Sequence, residues 1–151
     1  MSLLAKIDKD LITALKTGDK FKVTLLRGLK SDIKYRQIEK GADPTDSDIN
    51  EVLGGAAKRR RDSIEQFQAG NRLDLVEKET AELKIIEEYL PEQLSEEKLG
   101  QLINAAIAET GADSPTKLGL VMKHLMPDIK GKADGKLVNR LVREMLAGKS
   151  E

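Results

Sequence analysis

The chain has 151 residues, enough for one domain or for one small domain with an appendage, and its composition removes several chemistries at once. There is no Cys and a single His, so disulfides, zinc–thiolate centres, iron–sulfur clusters, a cysteine nucleophile and a multi-histidine metal site are excluded. The 26 cationic and 26 anionic side chains cancel, but in blocks: residues 1–61 hold 14 Lys/Arg and 9 Asp/Glu, residues 62–114 hold 4 and 13, and residues 115–151 hold 8 and 4.

Apolar positions recur with helical period along the chain, and no stretch alternates as a half-buried strand does, so the predicted fold class is all-α. Ser2 caps a first helix with Leu4, Ile7, Leu11 and Leu15 on one face, ending near Gly18. A second runs from about Lys20 through Phe21, Leu25, Leu26, Leu29 and Ile33 to Gly41, with Gly28 inside it as a weak point unless another helix packs close there. Thr45 caps a third, with Asp46 and Asp48 in its first turn and Ile49, Val52, Leu53, Ala56, Ile64 and Phe67 on its apolar face. Asn71 is the expected cap of a fourth, carrying Leu73, Val76, Leu83, Ile86 and Leu90 and closed by Pro91.

Pro91 marks the predicted boundary, giving an N-terminal helical bundle over 1–91 and a small three-helix tail domain over 92–151. Ser95 restarts the chain as a cap, and the next helix carries Leu99, Leu102, Ile103, Ala106 and Ile107 to Gly111. Ser114-Pro115 opens a further helix with Leu118, Val121, Met122 and Leu125, expected to stop at Pro127. Asp134 caps the last, with Leu137, Val138, Leu141, Val142 and Met145 on its apolar side. No apolar run reaches the ~18 residues of a membrane span, and the mixed charges of the start do not form a signal peptide, which predicts a cytoplasmic protein without a membrane partner.

Catalytic signatures are missing: there is no phosphate loop, and the clustered Glu77, Glu79, Glu82, Glu87 and Glu88 interleave with Lys78 and Lys84 as a solvated helix face. His124 reads as a partly exposed structural histidine, and Gly54-Gly55 as a close-packing site or weak hinge. No catalytic residue, cofactor or metal site is predicted. Two basic features remain. Lys58, Arg59 and Arg61 form a secondary basic site, partly explained by i,i+4 pairs of Lys58 with Asp62 and Arg61 with Glu65. Arg60, in contrast, falls inside its helix's apolar stripe and needs a carboxylate, expected from the acidic fourth helix.

The second feature is Lys130, Lys132, Lys136, Arg140 and Arg143. Setting Lys136 at 0°, Arg140 falls at about 40° and Arg143 at about 340°, opposite apolar residues at about 100–240°. A glycine-containing loop feeds this helix start, so a phosphate-contacting RNA site and an ordinary solvated face are equally consistent with the pattern, and the Asp134 cap would compete with a phosphate at the helix end itself.

KRRRDSIEQF (58–67), NRLDLV (71–76), YLPEQL (89–94) and the stretch 119–142 together resemble the stand-alone YqeY-like proteins of the GatB/YqeY family. The C-terminal stretch is similar to the tail shared with the B subunit of the glutamine-dependent tRNA amidotransferase. That resemblance implies an all-helical fold and a tail that touches tRNA, while the family's carbon–nitrogen ligase chemistry, with glutamine as amido donor, resides in a catalytic cradle that this chain lacks. The expected function is a non-catalytic module that binds tRNA or another structured RNA. The alternative is a protein-interaction adaptor for amidotransferase, synthetase or other translation proteins that does not touch RNA.

Overall fold

A computed structural model describes residues 2–150, with side-chain surroundings through residue 148. Among these residues the regular structure is entirely helical, with seven α-helices and one 3-10 turn. The chain divides into two compact units, Met1–Leu90 and Pro91–Glu151.

The first unit contains α1 (Leu3–Thr17), α2 (Lys20–Lys40), α3 (Asp46–Ala69) and α4 (Leu73–Glu87). Its core is built from Ile7, Leu26, Leu29, Ile49, Leu53, Ala56 and Ile86, with α2 packing on α1 and α3, and α3 on α4. The helix ends follow local chemistry. Ser2 Oγ accepts the Ala5 N–H, and Gly18 and Gly41 end α1 and α2 in the left-handed region, where a side chain would be strained. Thr45 and Asp48 form a reciprocal capping box, and Lys40 reaches from the end of α2 to Asp48 at 2.5 Å. The Lys40 ammonium first, then the Thr45 N–H and hydroxyl, hold the Asp48 carboxyl at about 2.

Asn71 departs from the expected cap. With φ of 55° it ends α3 instead: its N–H donates to the Gln68 carbonyl, and the Arg72 N–H returns to Phe67 at 2.8 Å. Asn tolerates the left-handed region, so the satisfied carbonyls of α3 decide its role, and Arg72 precedes α4 without a side-chain cap. Leu15, Phe21 and Leu73 lie at helix ends beyond the reach of the core and are exposed rather than interior. Gly28 and Gly54 have no atom within 4 Å of where a Cβ would stand, so close helix packing accounts for neither.

Past α4 the chain is tied down by Tyr89, which is 5% exposed. Its hydroxyl donates to Asp10 on α1 at 2.5 Å, and the Lys6 ammonium lies 5.5 Å from the ring centroid. Burial, reinforced by the Asp10 carboxylate, pushes the phenol well above the ordinary tyrosine value.

The second unit holds α5 (Glu96–Thr110), the 3-10 turn Pro115–Lys117, α6 (Leu118–Ile129) and α7 (Gly135–Ser150) around Leu99, Ile103, Ile107, Val121, Leu125, Val138, Val142 and Leu146. Ser95 caps α5 through the Lys98 N–H at 3.2 Å, while Ser114 makes no such bond and instead pairs its hydroxyl with that of Thr116. Helix α6 does not stop at Pro127. It continues to Ile129, whose side chain is 2% exposed, so burial of one more apolar residue offsets the hydrogen bond that Pro127 cannot donate.

Tyr89→Phe should lower stability by about 1–3 kcal/mol through loss of a hydrogen bond to a charged group. The raised phenol also gives a pH signature. Above about pH 10 the unfolded chain ionises this tyrosine while the folded chain does not, so stability falls as pH rises. Urea midpoints between pH 8 and 11 should show a shallower alkaline decline in Tyr89→Phe than in the wild type.

Candidate functional site

The loop between α6 and α7 is held from outside. Gly131 takes φ of 77°, the Leu94 N–H donates to the Lys132 carbonyl at 2.8 Å, and the Gln93 side-chain amide donates to the Pro91 and Gly131 carbonyls, both at 2.9 Å. Satisfying these carbonyls fixes the loop backbone and leaves the side chains of Lys130 and Lys132 exposed. Gln93 carries no charge and no periodicity, so only its place in the YLPEQL motif set it apart in the sequence, and nothing there gave it this bracing role.

Asp134 sits where the sequence placed it, its carboxylate accepting the Lys136 N–H at 3.4 Å and its carbonyl the Val138 N–H at 3.0 Å. The α7 face then presents Lys136, Arg140 and Arg143 outward, while Val138, Val142 and Leu146 fill the core. An open depression runs along this face between Lys136, Asn139, Arg140, Arg143 and Ala147. Arg143 donates to Asn139 Oδ1 at 2.8 Å, and Arg140 lies 3.8 Å from Glu144, each of that pair 60% exposed. Such a pair in solvent contributes little and yields readily to another anion. The Asp134 carboxylate leaves the side-chain stripe, rather than the helix end, as the anion-facing element.

The run Lys58–Arg61 on α3 is arranged differently, each cation facing a carboxylate. Lys58 pairs with Asp62 at 3.2 Å, Arg59 with Asp32 of α2 at 3.3 Å, and Arg60 with Glu82 of α4 at 3.3 Å. Arg60 also donates to the Ala56 carbonyl, and its side chain is 20% exposed against 16% for Glu82. Arg61 does not take its helical neighbour Glu65; it crosses to Glu87 of α4 at 3.5 Å, because α4 brings a carboxylate to the side of α3 that Arg61 occupies. The acidic fourth helix therefore matches the basic run of the third.

The charge blocks do not coincide with the folded units. Residues 1–90 contain 17 cationic and 17 anionic residues, and residues 91–151 contain nine of each. Any basic surface therefore arises from how the charges are placed, not from an excess of them. His124 is an exposed member of a pair with Glu109, its Nε2 at 2.5 Å, joining α6 to α5.

Among the described residues, two all-helical units carry organised rows of surface cations, which defines the fold class as all-α. The chain belongs to the YqeY-like protein family, whose model matches residues 4–146. It is similar to proteins named Altered inheritance of mitochondria protein 41, mitochondrial. The one from Lachancea thermotolerans is 37% identical over 110 residues, covering 72% of this chain and 54% of that relative. That from Clavispora lusitaniae is 34% identical over 134 residues, covering 85% and 76%, and that from Pyrenophora tritici-repentis is 30% identical over 152 aligned positions, covering 97% and 82%. The chain thus spans about half the length of the Lachancea relative. The names place those relatives in mitochondria. Among the described residues here, no helix is long and apolar enough to cross a membrane.

Because Arg60 and Glu82 are both largely shielded, Arg60→Ala should leave a carboxylate uncompensated and cost about 1–3 kcal/mol. Replacing both residues with apolar ones of similar volume should recover most of that loss. Denaturant titration of the single and double variants reads the difference.

Proposed function

We propose that this protein is a non-catalytic helical module that binds structured RNA, with tRNA as the principal ligand. The observation that carries the reading is the line of exposed Lys130, Lys132, Lys136, Arg140 and Arg143 along a braced loop and the outer face of α7. Phosphates spaced along an RNA backbone suit such a row, and an all-cation contact set reads shape more than sequence. The resemblance of residues 119–142 to the amidotransferase B-subunit tail supports tRNA over other structured RNAs. Of the secondary basic site, Arg61 is set aside as a contact, since its side chain is shielded at the α3–α4 seam by Glu87, while Lys58 and Arg59 sit in solvated pairs as open as that of Arg140.

A second reading, a docking module for translation proteins such as an amidotransferase or a synthetase, is favoured by Ile12, Leu15 and Phe21, which stand 53%, 49% and 40% exposed around the Gly18 turn. Removing Lys136, Arg140 and Arg143 together as alanines separates the two. Under the RNA reading the fold survives, affinity falls for all tRNA sequences alike, and the slope of log K against log salt shrinks by roughly two to three units. Wild-type protein that fails to bind tRNA at low salt would leave the docking reading in its place.

A further inference from the structure

Helix α2 is the most one-sided in charge, with seven cationic and two acidic residues. Three of its cations are committed: Lys30 to Asp8, Arg36 to Glu51, and Lys40 to Asp48. Lys20, Lys22, Arg27 and Lys34 make no ion pair among the described residues. Setting Leu26 at 0°, the buried Leu25, Leu29, Ile33, Leu26 and Val23 occupy about 260° round to 60°, and Lys20, Arg27 and Lys34 fall just beyond that arc at about 80–120°, each exposed. These three cations are therefore in line on the outer face, with steps of about 10.5 Å from the 1.5 Å rise per residue. Gly28, at about 200° on the same wheel and with no atom within 4 Å of where a Cβ would stand, adds no bulk to the outer side.

At the end of this row stands Tyr35, 68% exposed, at about 180° on the same wheel. An exposed tyrosine in a chain with two tyrosines and no tryptophan is a rare resource, and the other, Tyr89, is buried. Tyr35 also rims an open groove of 470 Å³ between α2 and α3, lined by Asp32, Arg36, Glu39, Glu51, Gly55 and Arg59. The groove's carboxylates repel phosphate yet accept hydrogen bonds from base amino groups. Cations for a backbone, an aromatic ring for a base, and acceptors beyond the ring occur in that order across one face.

We propose that the outer face of α2 is a second RNA-binding surface, in which Lys20, Arg27 and Lys34 track phosphates and Tyr35 stacks an unpaired base at the mouth of the α2–α3 groove. This rests on RNA being the ligand of the protein, as proposed for α7, but on different residues in a different unit. A membrane surface fits less well, because the large apolar side chains exposed on α2, Phe21 at one end and Tyr35 and Ile38 at the other, leave only polar residues or glycine exposed between them and form no continuous stripe.

The test uses the full chain with an RNA hairpin bearing an unpaired loop and a blunt RNA duplex, read by fluorescence anisotropy over a salt series. Lys20→Gln, Arg27→Gln and Lys34→Gln together should reduce the salt slope by about two to three, with the helical circular dichroism spectrum unchanged. Tyr35→Leu should weaken hairpin binding about tenfold or more while leaving duplex binding intact, and Tyr35→Phe should bind both as the wild type does. If the α2 variants bind both RNAs like the wild type while the α7 triple variant loses affinity, the α2 surface is refuted and the α7 reading stands. If α2 variants lose affinity and the α7 variant does not, the α2 surface stands and the α7 reading falls. No RNA binding by the wild type overturns both, and wild-type binding to phosphatidylserine vesicles that the α2 variant loses, without RNA binding, assigns the face to membrane instead.

Discussion

Arg60 is a guanidinium on the apolar stripe of a helix, and that position admits few solutions. Left unpaired at 20% exposure it would carry a heavy desolvation cost; paired with Glu82, which is 16% exposed, it fixes which side of α4 meets α3. Arg61, the next residue of α3, reaches Glu87 of the same α4. The hairpin of α3 and α4 thus takes Arg60 and Arg61 of the densest basic run into its own seam, while Lys58 and Arg59 stay in exposed pairs. Charge matching there decides, by subtraction, which cations elsewhere remain to meet a ligand.

Under the RNA proposal that sorting sets the functional layout. The cations of α3 face carboxylates of α2, α3 and α4, while Lys20, Arg27 and Lys34 on α2 do not, and Arg140 of α7 has a solvated partner, Glu144, that exchanges readily. Neither unit has a net charge, so under the RNA proposal attraction to a polyanion comes from local rows and not from the long-range field. Gln93 and Leu94 brace the backbone between α6 and α7, an arrangement that would lower the ordering cost of the proposed RNA contact there.

Much of the fold was legible because it is governed by local chemistry. Ser2, Thr45 and Ser95 accept the N–H groups their positions predict, Gly18, Gly41 and Gly111 end helices in the left-handed region, and the partner of Arg60 lies on the acidic helix. The misreadings share a cause, which is competition between a local signal and a tertiary one. Asn71 has the composition of a cap but serves the carbonyls of the helix before it, and Pro127 carries a stop signal that the burial of Ile129 overrides. Arg61 prefers a residue 26 positions away to one four positions away, a choice that exists only once α4 has packed. The α7 stripe could be read from spacing alone. The α2 face could not, since its free cations become distinguishable from its paired ones only when Asp8, Asp48 and Glu51 are seen to claim Lys30, Lys40 and Arg36.

The central claim is that carboxylate pairing divides the cations of this protein into structural and ligand-facing sets. Ultraviolet crosslinking of the intact chain to tRNA, with the crosslinked peptides located by mass spectrometry, tests it directly. Crosslinks should fall on α2 around Arg27–Tyr35 and on residues 130–143, and spare Arg60 and Arg61. Crosslinks concentrated on Arg60 and Arg61, with α2 and α7 untouched, would contradict it.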